Sequence, residues 1–256
     1  MLEVKNLSVS YGDTRVVSNA SFSLQSGEWV MITGPNGAGK STLLEALMQG
    51  IPYTGEVLYE GQSLKTMKPR QRALRIGLLA QQYAAGYAFT VEEIVRLGRY
   101  AYHDALSGFD KADEQAVLHA MQETGTFVLR KKPISQISGG ELQRAFLSQL
   151  FAQNPKILLL DEPSNHLDLS YQRQILTLIK DWLSQGDRAV ISVMHDLAIA
   201  RRFGTRVMLL DHGSIQADAP PEQALSPILL KAVYGMDVEA WMREMYGAWN
   251  NEPGHI

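Results

Sequence analysis

The stretch Gly34-Pro35-Asn36-Gly37-Ala38-Gly39-Lys40-Ser41 decides how this chain folds. It fits the pattern G-x-x-x-x-G-K-[ST], in which a glycine-rich loop joins a strand to a helix. Its neighbours supply both. Trp29-Val30-Met31-Ile32 is an apolar run of strand character, and Thr42-Leu43-Leu44-Glu45-Ala46-Leu47 is helix-forming. Glycines let the backbone wrap tightly and turn its N–H groups toward anionic oxygens. The helix N-terminus adds a favourable dipole field. Gly34 through Thr42 are therefore the expected phosphate cradle, with Lys40 reaching the β- and γ-phosphates and Ser41 a ligand of Mg²⁺. Each charge-assisted hydrogen bond of that kind contributes roughly 1.5–3 kcal/mol.

Further along, Ile157-Leu158-Leu159-Leu160-Asp161-Glu162 is four apolar residues followed by two acids. A buried parallel strand reads this way, and its carboxyl end is where ligands of open α/β sheets bind. Asp161 is expected to hold Mg²⁺ and Glu162 to polarise an attacking water. Phosphoryl transfer asks the protein for positioning, a metal and one water-orienting group. Other strands are expected at Leu2–Val9, Glu28–Thr33, Glu56–Tyr59, Arg75–Leu79, Ala189–Met194 and Arg206–Leu210. Strands alternating with helices predict a parallel sheet covered on both faces. The middle breaks that rhythm: Val91, Ile94, Val95 and Leu97, then Val117, Leu118 and Met121, recur at helical spacing. The expected organisation is one domain, with an α/β core over 1–82 and 153–220, a helical insertion over 83–152, and a helical tail over 221–256 carrying Trp241, Tyr246 and Trp249.

Composition bounds the function classes. The chain has 256 residues, 45% of them hydrophobic, with 24 basic and 27 acidic residues and a formal net charge of −3. No whole-chain basic field points to nucleic acid, and none is expected as a partner. There are no cysteines, so disulfides and thiolate zinc sites are excluded. Met1-Leu2-Glu3-Val4-Lys5 lacks the basic-then-apolar order of a signal peptide. No apolar run approaches the roughly 20 residues that span a bilayer.

Ile137-Ser138-Gly139-Gly140-Glu141-Leu142-Gln143-Arg144 resembles the signature motif of ABC ATPases, usually L-S-G-G-[EQ], with Ile137 in place of Leu. Ser138 lies 23 residues before Asp161, as the family's arrangement requires. The same residues fit a capping box, Ser138 as N-cap and Glu141 three positions on. The two readings are compatible, because a helix N-terminus with flanking glycines is itself an anion site. The resemblance implies a P-loop NTPase with a RecA-like α/β core, an antiparallel β subdomain and an inserted, mostly helical signature subdomain. It implies ATP and Mg²⁺ as ligands. In that family Ser138, Gly139, Gly140 and Glu141 would meet the γ-phosphate of ATP held by a second copy, making a head-to-tail dimer. Tyr11 resembles the aromatic that stacks on adenine. Gln81 resembles the glutamine that contacts Mg²⁺ and couples to the membrane subunit, although Gln82 is adjacent and Ala80 replaces a frequent Pro. Ser164-Asn165-His166-Leu167-Asp168 resembles the D-loop, with Asp168 closing it. His195, 34 residues past Asp161, resembles the switch histidine that would bond the γ-phosphate and steady the water.

Two stretches resemble a narrower group. Thr90-Val91-Glu92-Glu93-Ile94-Val95-Arg96-Leu97-Gly98-Arg99, followed by Tyr102-His103, is similar to T-V-x-E-x-V-x-x-G-R-x-P-[YH] of importers for ferric siderophores, haem and cobalamin, with Tyr100-Ala101 where Pro is usual. Leu225-Ser226-Pro227 through Val233-Tyr234-Gly235-Met236-Asp237-Val238 is similar to the same group's C-terminal stretch. Integral-membrane permease subunits and, indirectly, a substrate-binding protein are the implied partners. The implied location is peripheral, on the cytoplasmic face of the membrane. The alternative reading is a soluble ABC ATPase acting on ribosomes or nucleic acid.

Overall fold

The computed structural model describes residues 1–80, 89–103, 108–165 and 167–247. The chain opens with two long strands, β1 (Leu2–Tyr11) and β2 (Thr14–Leu24). β3 (Trp29–Thr33), buried throughout, runs into the glycine loop, from which α1 (Lys40–Leu47) departs. β4 (Thr54–Tyr59) and short β5 (Gln62–Ser63) pair as a hairpin, followed by α2 (Pro69–Ala73) and β6 (Ile76–Leu79). Three helices come next: α3 (Val91–Leu97), α4 (Lys111–Glu123) and α5 (Gly139–Gln153). Alternation then resumes with β7 (Ile157–Asp161), α6 (Leu169–Leu183), β8 (Ala189–Val193), α7 (Leu197–Phe203) and β9 (Arg206–Asp211). The described chain closes with β10 (Ser214–Ala219), α8 (Pro221–Ala224), α9 (Pro227–Tyr234) and α10 (Val238–Gly247).

Among the described residues the strands form two sheets. The larger runs β10-β9-β3-β8-β7-β6, parallel except for the β9–β10 hairpin. The smaller, β2-β1-β4-β5, is antiparallel. Leu2–Val9 and Glu56–Tyr59 belong to this antiparallel sheet, the β subdomain that the resemblance implies, and the parallel sheet is built from the others. The other expected strands form to within one residue at each end. β2 is missing from the sequence reading for a physical reason. Its alternation is interrupted where Asn19 takes φ +48, and its pairing with β1 shifts register at three places. Asn19 N–H donates to Ser8 Oγ at 2.8 Å, which holds that irregularity in place.

Successive side chains of a strand point to opposite faces, and both faces of the parallel sheet are covered. Val30 and Ile32 of β3, with Ile157 and Leu159 of β7, pack with α1 and the antiparallel sheet. Trp29 and Met31, with Leu158 and Leu160, pack against Phe146, Leu147, Ile175 and Trp182 of the helical side. Apolar residues on both faces explain why these strands read as continuous hydrophobic runs. Register places the carboxyl ends of the three central strands together: Ile32 lies opposite Val193, and Val193 opposite Asp161. The ladder continues past the strands, with Glu162 N–H donating to Val193 O and Met194 N–H to Ile32 O. The glycine loop, the Asp161-Glu162 pair and His195 therefore leave the sheet from one edge.

Candidate functional site

The cradle is built by exclusion of side chains. A Cβ on Gly34 would fall 2.0 Å from the Leu210 carbonyl oxygen, and Gly34 holds φ +141. A Cβ on Gly39 would fall 2.6 Å from Val16 O of β2. Gly213 N–H, in the β9–β10 turn, donates to Ala38 O, and Ser18 N–H donates to Gly213 O. Both sheets thus back the loop, while Asn36, Gly37 and Ser41 stay exposed and Pro35 and Thr42 are half-buried. Lys40 is buried, its ammonium donating to Gly34 O and Pro35 O, each at 2.8 Å. Burial pulls its pKa down, against the pull of the Glu162 and Asp161 carboxylates. Two backbone carbonyls are weak partners for a full charge, so this ammonium is poised for an anion placed in the loop.

Ser41 Oγ donates to Asp161 Oδ1 at 3.2 Å, across 120 residues of chain. Burial pushes the Asp161 carboxyl up; the Ser41 hydrogen bond, His195 and Lys40 pull it down, while Glu162 pushes it further up. Two converging oxygens, one carboxylate and one hydroxyl, suit a hard divalent cation that completes its shell with water and phosphate oxygens. Among the described residues no group of three or more His, Cys, Asp or Glu could hold a metal by itself. Glu162, with its side chain 9% exposed, sits 2.5 Å from His195 Nε2 through Oε1. Tyr11, at the end of β1, is 53% exposed, as a stacking surface must be. Gln81 lies outside the described residues.

Ser138 to Glu141 form a separate cluster. Ser138 is the N-cap of α5, its Oγ accepting from Glu141 N–H, and Glu141 Oε2 accepts from Ser138 N–H at 2.8 Å. The Glu141 carboxylate, expected at the nucleotide, is turned back on the cap. Ser138 and Gly139 are exposed. Gly140 is buried, and a Cβ there would fall 2.6–2.9 Å from the ring of Tyr171 on α6. Gln143 Nε2 donates to Pro163 O at 3.0 Å, tying α5 to the residue after Glu162. Asp168 is exposed and caps α6, its Oδ1 accepting from Ser170 and Tyr171 N–H.

Three residues had no role assigned in the sequence reading. Tyr171 and Gln143 fix the signature helix; no local pattern marks Tyr171, and Gln143, though within the signature stretch, meets its partner only in the fold. Tyr234, at the end of α9, has its pKa raised by burial, against the pull of the Gly34 backbone beside it. The tail helices thereby come up beside the cradle. Val238 is buried in the core and Met242 packs against it, while Trp241 is 48% exposed; Trp249 lies outside the described residues.

Residues 17–165 match the family described as ABC transporter. The chain is 39% identical over 245 residues to YvrA of Bacillus subtilis strain 168, an uncharacterized ABC transporter ATP-binding protein, covering 95% of this chain and 55% of that one. It is 32% identical over 247 residues to the petrobactin import ATP-binding protein FpuD of Bacillus anthracis, covering 96% of this chain and 90% of that one. The chain thus spans about half the length of the first relative and nearly all of the second. The dimeric structure of MJ0796, a bacterial ABC transporter cassette, matches with a TM-score of 0.77 at 28% identity, covering 86% of this chain and 99% of that chain.

Proposed function

Since the chain belongs to the ABC transporter family, we propose that it is the ATP-hydrolysing motor subunit of an importer for a ferric siderophore, haem or cobalamin. The observation that carries this is the convergence at one sheet edge of a glycine cradle, a buried Lys40, the Ser41–Asp161 pair and a Glu162 held by His195. A nucleoside triphosphate is the substrate that needs all of them.

Backbone N–H groups of Gly34–Gly39 would hold the phosphates, and Lys40 would exchange its carbonyl partners for phosphate oxygens. Tyr11 would stack on adenine. Ser41, Asp161 and Gln81 would hold Mg²⁺, which when bound neutralises charge developing on the transferred phosphoryl group. Glu162 would accept a proton from the attacking water, and His195 would orient Glu162 and bond the γ-phosphate. Ser138 and Gly139, exposed at the start of α5, would cap ATP held by a second copy, with Asp168 beside that junction. Closure of this head-to-tail dimer gains contacts to ATP that the open state lacks. We read 1–82 and 153–220 as the nucleotide-binding core, 83–152 as the helical signature subdomain and 221–256 as the tail. Permease subunits would receive the motion at the cytoplasmic face through the stretch from Gln81 to His103, and a substrate-binding protein would deliver the cargo. Among the described residues no helix is long and apolar enough to cross a membrane. The ribosome or nucleic-acid alternative draws no support from YvrA and FpuD, whose names are those of a transporter and an import subunit.

Glu162→Gln should keep ATP affinity and lower the hydrolysis rate at least a hundredfold. Pulled from native membranes with ATP and Mg²⁺, that variant should bring down a multi-helix permease. Hydrolysis at the parent rate would sink the assignment of Glu162, and ribosomes or DNA in place of a permease would sink the importer.

A further inference from the structure

We propose that Asn165 is a positioning residue that presets the Glu162 carboxylate before ATP arrives; the inference rests on the assignment of Glu162 as the water-activating base. Glu162 has a left-handed backbone, φ +51, and leaves β7 in a turn in which Asn165 N–H donates to Glu162 O at 3.2 Å. Pro163 and Ser164 within that turn are buried, which anchors it, whereas Asn165 itself is exposed. The Asn165 amide is therefore not placed for packing. Its Nδ2 donates to Glu162 Oε2 at 2.5 Å, on the side of the carboxylate away from the His195 contact to Oε1. One oxygen is held from within the turn and the other by His195, two residues past the end of the neighbouring strand β8. The carboxylate plane then has one setting instead of the two-fold rotation open to an unrestrained glutamate.

A base must lie within hydrogen-bond reach of the proton it takes, and a misplacement of about 1 Å costs on the order of a hundredfold in rate. Holding Glu162 acts on the chemical step and leaves ATP binding to the cradle, which Asn165 does not line.

The test is steady-state ATP hydrolysis by the full chain, with ATP affinity measured separately. Asn165→Ala should lower kcat roughly tenfold to a hundredfold, with KM and ATP affinity within about twofold of the parent. Asn165→Asp has the same shape but no amide donor and sets a second carboxylate against Glu162. It should lose at least as much kcat, which separates hydrogen bonding from shape. In a Glu162→Gln background, Asn165→Ala should cause no further fall, because the group it orients is gone. A kcat for Asn165→Ala within twofold of the parent, beside an inactive Glu162→Gln, would overturn this inference alone. So would an equal fall in both backgrounds, which would place the effect elsewhere. Parent-level activity in Glu162→Gln would overturn the base assignment and this inference with it.

Discussion

Lys40 shows how a single residue is readied for its ligand. Its ammonium is buried beneath the loop and, among the described residues, donates its hydrogen bonds to carbonyls of that same loop. Lys40→Met keeps the stem and removes the charge, so the cradle should keep its shape while losing its strongest contact. The expected loss is roughly 1.5–3 kcal/mol of nucleotide binding, about tenfold to a hundredfold in Kd, read by titration calorimetry with ATP. Unchanged affinity would remove the cradle assignment. At this scale the sequence was informative wherever a residue type is demanded by local chemistry. Gly34, Gly39, Lys40, Ser41 and Asp161 were legible because each occupies a position whose backbone or charge admits few alternatives. Glu141 was legible as a cap as much as a ligand, and the structure shows it capping; Asp168, read as the close of the D-loop, caps α6, a role the sequence reading did not give it. Tyr171 and Tyr234 were not legible, because their places beside Gly140 and Gly34 depend on how distant parts of the chain come together.

The α3 segment shows what an element-level motif does physically. Thr90 caps α3 in a box with Glu93, and Val91 and Val95 are buried. Gly98 lets the helix end approach α5, where a Cβ would fall 2.2 Å from Gln149 O. Arg99 then reaches across to Asp113 of α4 at 2.9 Å and to Ala152 O at 2.8 Å. His103 Nε2 lies 2.6 Å from the other Asp113 oxygen. The stretch that resembles an importer motif is, residue by residue, a fastening of α3 to α4 and α5. Burial by itself would raise the Asp113 carboxyl. Hydrogen bonds from the Asp110 backbone and Arg99, with the charges of His103 and Arg99, hold it below its ordinary value instead. A carboxylate lowered on folding stabilises fully above its unfolded pKa, and that contribution fades as pH falls through the folded value. Asp113→Asn should therefore cost roughly 3 kcal/mol at neutral pH, and the difference from the parent should shrink in acid. Urea unfolding across pH would show it; a difference that is flat or grows in acid would contradict the ion-pair account. Leu97 and Leu118, read at helical spacing with the core residues, are instead 41% and 42% exposed. Periodicity located the helices better than it assigned their faces.

At the scale of the whole molecule, the two halves of the proposed nucleotide site stand as separate clusters of one chain. Gly139 and Gly140 make the separation testable. A Cβ on Gly139 meets nothing within 4 Å, whereas one on Gly140 collides with Tyr171. Gly139→Asp should fold as the parent does and bind ATP in its own cradle, yet fail to form the ATP-dependent dimer. Light scattering of Glu162→Gln with ATP should show twice the monomer mass, and the same variant carrying Gly139→Asp should stay monomeric. A dimer in both would place the second copy elsewhere. What the sequence determined alone was everything set by short-range rules: the glycine loop between strand and helix, the buried strands ending in carboxylates, the cap at Ser138, and the helical run between β6 and β7. Those features depend on backbone freedom, hydrogen bonding and apolar runs within a few residues of one another. Only the tertiary structure decided that β1 sits between β4 and an unrecognised β2 in the antiparallel sheet, that α5 is pinned by Gln143 and Tyr171, that the tail brings Tyr234 beside Gly34, and that Asn165 bends back onto Glu162. The longer-range of these contacts join residues far apart in the chain, and Asn165 is aimed by a turn whose shape depends on what is buried beneath it. Packing of the whole chain sets their geometry, which no local pattern encodes.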